Sequence, residues 1–294
     1  MWGPAASKTG ESRAAWRLGH RFAEIPSCPE ALRPRRLVIC PNPEMFVRRS
    51  AILVLALCVA PLGAQANTLT AAERAAGWTL LFNGTTLAGW RGLGYDSVPT
   101  AHWNVVDGAI HKVASGNVPK MPDGQPANGG DLMTVDAFRD FELTFDWKAV
   151  PATNSGVKYN VSEAYSLANA SNHAALGFEY QVLDDSLNED NKLATHRAGA
   201  LYDLIAPNDN KRLKPVGEWN SSRIVFRGNH GEHWLNGQKV VEFDLGTPRM
   251  DSALAKSKYR VLKGFADRRA GHIILQDHGD EVFYRNIKIR EIKP

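Results

Sequence analysis

Glu179 and Gln181 share one face of the run Gly177-Phe-Glu-Tyr-Gln-Val-Leu183, whose Phe178, Tyr180 and Val182 face the other way. That is the period-two alternation of a strand. Asp184 joins them if the chain turns at Leu183, which would give two carboxylates and an amide, a set able to do acid, base or nucleophilic work. Alternatively, Glu179 is only the solvent-facing member of an alternating strand. His278 is a second candidate base, because it lies two residues past Gln276 on the face opposite Ile273 and Leu275. Asn154-Ser155-Gly156 precedes a segment in which Lys158 and Asn160 share a face, and Asn154 or Lys158 can polarise a carbonyl. Gly156 permits close approach of a ligand to the backbone. Tyr202 and Trp219 either stack on a ligand ring or fill a core, whereas Trp90, Trp103 and Trp147 read as core and Arg285 as structural.

The elements that must position these side chains are strands. Pro, Gly, Asn and Asp recur about every ten residues between short alternating runs, a rhythm that argues all-β rather than βαβ. Phe141-Glu-Leu-Thr-Phe-Asp-Trp-Lys148 sets Phe141, Leu143, Phe145 and Trp147 against Glu142, Thr144, Asp146 and Lys148. Asn236-Gly237 predicts a type I′ hairpin, and Gly279-Asp280 a turn joining two antiparallel strands. Thr70 to Ala76 can form one or two helical turns. No long 3.6-residue period and no repeat is present. Ser115–Asp131 and Asp184–His196 cannot be central strands and are placed at the rim of a binding face.

Composition bounds the function. The chain has 294 residues, 44% hydrophobic and 22% charged, with a formal net charge of +4, an ordinary globular balance. Nine of its 35 basic and four of its 31 acidic side chains precede position 67, so the remainder is near neutral and has no footprint for nucleic acid. The basic start is read as a leader: Met45-Phe-Val-Arg48-Arg49, the apolar run from Ala51, and Ala64-Gln65-Ala66 form the three parts of a secretory signal. Residues 45–66 are therefore expected to be a signal peptide, residues 1–44 a mis-assigned extension before the true start, and residues 67–294 one domain, periplasmic or secreted, with no transmembrane segment after cleavage. Lipidation at Cys58 is disfavoured by the bulky Leu57 before it, and a twin-arginine reading of Arg48-Arg49 carries little weight. All three cysteines, Cys28, Cys40 and Cys58, precede the cleavage site, which removes thiolate nucleophiles and Cys-ligated zinc.

G-x-S-x-G, P-loop and G-x-G-x-x-G motifs are absent, against serine hydrolase, NTPase and nicotinamide chemistry. The histidines include no H-E-x-x-H; His230 and His233 lie close together, but Glu232 between them is not enough for a metal site. Asp184, Asp185, Asn188, Glu189 and Asp190 make an acidic loop without the EF-hand register, read as solvated. No cofactor is required, no metal ligand is assigned, and a divalent cation such as Ca²⁺ is left open. Oligomeric state is not legible.

Leu81-Phe-Asn-Gly-Thr-Thr-Leu-Ala-Gly-Trp90, Trp103-Asn-Val-Val-Asp-Gly108, Asn154-Ser-Gly156, Glu179-Tyr-Gln-Val-Leu-Asp184, Gly199-Ala-Leu-Tyr202, Gly217-Glu-Trp-Asn220, His233-Trp-Leu-Asn-Gly237 and Leu275-Gln-Asp-His-Gly279 follow in order. From about Gly77 to Ile292 this series resembles the 3-keto-disaccharide hydrolase domain family. The resemblance implies a concanavalin A-like (jelly-roll) antiparallel β-sandwich, usually exported, that cleaves glycosides carrying a ketone at carbon 3. The concave sheet face of such a fold is a trough for a sugar. There E-x-Q-x-x-D is similar to the E-x-D-x-x-E of sandwich-fold glucanases, and the carboxyl separation would divide retaining from inverting hydrolysis.

A C3 ketone opens another route: it acidifies the C2 proton, so a base can eliminate the C1 leaving group and water then adds to the enone. On this reading Glu179, His278 and Asp184 are the catalytic candidates, with Asn154, Lys158, Gln181, Tyr202, Trp219 and Gln276 holding the small carbohydrate substrate. Two alternatives stand beside it. One is a noncatalytic lectin-like module of the same fold; the other is a glucanase on unoxidised polysaccharide, against which Gln181 in place of a central carboxylate counts mildly.

Overall fold

Phe141, Leu143, Phe145 and Trp147 are all buried to 1% exposure or less, so the alternation in that run decides which side of the strand faces the core. The computed structural model describes residues 65–114, 116, 118, 130–170 and 173–293. The expected signal peptide before Gln65, the 1–44 extension and most of the Ser115–Asp131 loop lie outside the described residues.

Thirteen strands are described: β1 (Thr79–Leu80), β2 (Trp90–Gly92), β3 (Trp103–Val106), β4 (Ala109–Lys112), β5 (Leu132–Arg139), β6 (Phe141–Ala149), β7 (Asn154–Val161), β8 (Phe178–Leu183), β9 (Asn220–Arg227), β10 (His230–Leu235), β11 (Gln238–Asp244), β12 (Ala270–Leu275) and β13 (Val282–Glu291). They form an eight-stranded sheet, β11-β10-β9-β6-β13-β4-β3 with β1 on β13, and a five-stranded sheet, β2-β5-β12-β7-β8. Every recorded strand pairing is antiparallel. The expected all-β sandwich is the fold.

Aromatic contacts join the two inner faces: Phe145 of β6 meets Tyr180 of β8 edge-on at 5.3 Å, and Tyr159 of β7 meets Phe226 of β9 at 5.9 Å. Polar tips within this core are paired, as buried donors must be. Trp147 Nε1 donates to Ser222 Oγ, which donates to the Tyr180 hydroxyl. Trp90, Trp103 and Trp147 are buried as expected. Arg285 is structural, 3.5 Å from Asp146.

Helix α1 (Ala71–Ala75) has the Thr70–Glu73 capping box, and Asn236 and Gly237 both take positive φ in the predicted hairpin. One expectation needs correction. Gly279-Asp280 does not close a hairpin: β12 belongs to the five-stranded sheet and β13 to the other, so the turn carries the chain between layers. Helices α2 (Glu163–Asn169) and α3 (Pro248–Lys256) are short enough that their apolar period was not legible; each is started by a side-chain cap, from Ser162 and Thr247.

Candidate active site

All eight residues of β7 and all six of β8 are buried, because both faces of these strands are covered. Their outer face, away from the aromatic core, is polar. Lys158 pairs in register with Glu179, and Gly156 with Gln181. Across β7, Ile274 stands opposite Lys158, while Gln276 donates its backbone N–H to Gly156 O. Two rows result, Gln276–Gly156–Gln181 and Ile274–Lys158–Glu179.

Glu179 is 3% exposed, and no hydrogen bond to its carboxylate is recorded among the described residues. Burying an unpaired charge is expensive, and its neighbours reduce that cost: the Glu179 charge acts on Lys158, Lys258, Tyr202 and Tyr259. Its carboxylate lies over Gly156, where a Cβ would sit 2.2 Å from Oε1. The missing side chain at 156 thus makes room for Glu179 rather than for a ligand.

Lys158 is 6% exposed, and its ammonium donates to Asp131 Oδ2 at 3.3 Å and to Ala175 O at 3.1 Å. Burial pulls its pKa down, but the charges of Asp131 and Glu179 outweigh that and hold it above the ordinary lysine value. Asp131 is fixed in turn by the backbone N–H groups of Asp277 and Ala175. Asp277 closes a buried cluster, 2.9 Å from Lys112 Nζ and 2.9 Å from His102 Nδ1. This cluster anchors the chain next to Gln276.

The rim is built by the Asp184–Asp203 segment. Gly199 donates to Gln181 O and Tyr202 N to Glu179 O, which covers the free edge of β8 and places the Tyr202 ring beside Glu179. The Tyr202 hydroxyl donates to Asp190 Oδ2 at 3.0 Å. Burial, then the charges of Asp190 and Glu179, push the Tyr202 pKa far up. His196 stacks on Tyr202 at 4.3 Å, with Nδ1 2.6 Å from Asp190 and Nε2 3.1 Å from Asp203. Lys258, an exposed residue, holds its ammonium 4.2 Å over the Tyr202 ring.

Glu179, Lys158, Gln181, Asn154, Gln276 and Tyr202 lie together, whereas Asp184 and Trp219 do not join them. Asp184 turns away after β8 and accepts from Ala152 N, Ser186 N and Ser186 Oγ. Burial raises its pKa, those hydrogen bonds outweigh burial, and the net shift is downward. It is a turn-capping group. His278 lies beyond the end of β12, exposed and without a hydrogen bond among the described residues. Trp219 packs under Arg285, 3.9 Å from its ring, and near Lys148, side chains of the other sheet.

The acidic loop is not simply solvated either, since Asp185 accepts from Ala198 N and pairs with Lys211, and Asp190 joins the rim. Asp131, Asp190, His196 and Lys258 were missed. Only the irregular Ser115–Asp131 and Asp184–His196 segments pointed towards three of them, Asp131, Asp190 and His196.

A cavity of about 320 Å³ lined by Trp147, Leu183, Asp184, Asp185, Lys214 and Asn220 does not include Glu179. Both of its carboxylates already have donors, so it holds no free acid or base. One set of side chains among the described residues could gather a metal ion, His230, Glu232 and Glu242 on the β10–β11 hairpin. There the Lys239 ammonium, 3.2 Å from Glu232 and 2.8 Å from Glu242, already supplies the cation.

Residues 77–290, which include every member of this site, match the model of the 3-keto-α-glucoside-1,2-lyase-like domain family. The chain belongs to this family. It is accordingly a glycoside-cleaving enzyme. The 3-keto-disaccharide hydrolase of Bacteroides thetaiotaomicron is 34% identical over 245 residues, covering 77% of this chain and 82% of that protein. Two crystal structures of candidate glycosyl hydrolases from Parabacteroides distasonis are also similar. The first superposes with a TM-score of 0.65 at 30% identity, over 78% of this chain and all of that one. The second gives 0.55 at 29%, over 73% and 99%. Among the described residues no helix is long and apolar enough to cross a membrane.

Proposed function

We propose that this protein acts after export on 3-keto-glucosides, 3-keto-disaccharides among them, and cleaves them by C2 deprotonation, elimination and hydration. The observation that carries this reading is the pairing of Glu179 with Lys158: a carboxylate with no hydrogen-bond donor among the described residues next to a buried ammonium. Direct hydrolysis by two carboxylates has less support, because Asp184 is committed to its turn.

Glu179 takes the C2 proton, which the C3 carbonyl has made acidic. Lys158 offers its ammonium to the C3 oxygen, where negative charge develops, in a water-poor setting that strengthens the attraction. The C1–O bond breaks with its electron pair leaving on oxygen, a proton reaches that oxygen, and a C1=C2 double bond conjugated to the ketone remains. Water then adds at C1 and a proton returns to C2, so the balance is that of hydrolysis. On the rim Lys258 is the donor on the open side, since the single Tyr202 hydroxyl proton is committed to Asp190. Lys158 acts by charge rather than as an amine nucleophile, since its acid neighbours favour the protonated form. The family of the chain and its Bacteroides relative support the substrate class, and the signal-like pattern at residues 45–66 supports export.

The test is sugar release from an aryl glucoside and its 3-keto derivative by residues 67–294, with Glu179→Gln beside the parent and cleavage run in D₂O. Cleavage of the keto form alone, with deuterium at C2 of the product and loss in the variant, is expected. Equal cleavage of both substrates would point to a glucanase, and binding without cleavage to a lectin.

A further inference from the structure

Gln181 is fully buried, yet its Oε1 has no hydrogen-bond donor among the described residues. Which end of this amide faces the site is not free. Asp190 receives the Tyr202 hydroxyl and lies 2.6 Å from His196 Nδ1. A carboxylate only accepts, so Asn154, whose amide faces Asp190 at 3.5 Å, must turn Nδ2 towards it. Its Oδ1 then points at Gln181, which donates through Nε2 at 3.0 Å. Gln181 Oε1 is what remains, on the strand face that also carries Glu179. A charge two groups away, through one intervening amide, thereby sets the hydrogen-bonding sense of the site. Gln276, across Gly156, also has an unpartnered Oε1, but no such chain holds its amide.

We infer that Asp190 is a positioning residue that fixes Gln181 as an acceptor for one hydroxyl of the bound sugar, so that this subsite takes a donor and rejects an acceptor-only group. The inference rests on the 3-keto-glycoside reading and adds an orientation to it. A ketone oxygen can only accept, so it is turned away from Gln181 and towards the ammonium of Lys158, while a ring hydroxyl meets Gln181.

The experiment compares a 3-keto-glucoside with its 4-deoxy-4-fluoro and 6-deoxy-6-fluoro analogues, reading kcat/KM in the wild type, Asp190→Asn and Gln181→Leu. Fluorine keeps size and loses the donor. At one position the wild type is expected to prefer hydroxyl about tenfold to a hundredfold, the range for leaving a buried acceptor unpaired. Asp190→Asn lets the amide chain reverse, and that ratio falls at least fivefold. A loss of packing alone would lower both rates and leave the ratio in place. A wild-type ratio near one at both positions, or an Asp190→Asn ratio equal to wild type, overturns the inference. Should Asp190→Asn lack a thermal unfolding transition, Gln181→Leu decides, because its ratio must also fall. If no substrate is cleaved, calorimetric binding of the same sugars is read instead: preference for hydroxyl, lost in Asp190→Asn, upholds the inference while the catalytic reading falls, and absence of preference overturns it.

Discussion

Gly156→Ala separates the position of the Glu179 carboxylate from its presence. The new Cβ would lie 2.2 Å from Glu179 Oε1 and 2.8 Å from Cδ and Cγ. Ordinary contact begins near 3.4 Å, so the carboxylate must withdraw by about 1.2 Å. Misplacement of a reacting group by about 1 Å can cost a hundredfold in rate, and loss of a general base about 10² to 10⁴. A fall in kcat of about 100-fold or more is expected. Stability should move little: Gly156 lies in β7 outside the positive-φ region, so alanine fits the backbone, and the gain of about 0.4–1 kcal/mol from a stiffer unfolded chain offsets part of any crowding. The assay pairs steady-state turnover of a 3-keto-disaccharide with a thermal melt. If Gly156→Ala keeps kcat within threefold of wild type while Glu179→Gln is inactive, the carboxylate does not act from the position described.

Lys158→Met should lower kcat by 100-fold or more, the scale for removing one charge-stabilising donor, whereas cyanoborohydride, which reduces an iminium in preference to the substrate ketone, should leave the wild type active when added during turnover; trapped, inactivated enzyme would mean an imine at Lys158. His233 is enclosed between Tyr159 and Gly199, and burial lowers its pKa to about 4 from the ordinary 6.5. Below pH 6.5 the unfolded chain takes up a proton that the folded chain refuses until about pH 4, so stability falls with pH across that window, by roughly 3 kcal/mol at most. Urea melts against pH should lose this slope in His233→Gln, and an unchanged slope would acquit the histidine. Asp277→Ala leaves the Lys112 ammonium buried without its partner and should destabilise by about 3–5 kcal/mol, with Lys112→Met/Asp277→Leu recovering much of it; a single variant as stable as wild type would refute the cluster's anchoring role. Trp219→Ala should keep kcat/KM within about twofold on the keto-disaccharide, and a tenfold loss would return that ring to the site.

Alternation alone settled much of the sandwich. Phe141 to Trp147 and Phe178 to Val182 follow period two, and a pleated strand sends every second side chain to one side, so the residues of the core and the polar face of β8 are legible without coordinates. Asn236-Gly237 was equally readable, because positive φ at two successive positions selects these residues. The motif series, eight short strings in order, carried the family.

Tertiary structure decided what each polar residue does. Glu179 and Asp184 lie five residues apart in one motif, and only the turn at Ala152 and Ser186 shows that the second is consumed by backbone donors. Trp219 fell to the other sheet for a related reason: strand end and sheet membership depend on pairings between distant segments, and a β12 that stops at Leu275 leaves His278 exposed beyond it. Asp131 and Asp190 stand in irregular segments whose local sequence does not name their partners. They matter because the folded chain brings one to Lys158, 27 residues on, and the other to Asn154, 36 residues back, and a charge acts through distance in space, with no regard to separation along the chain.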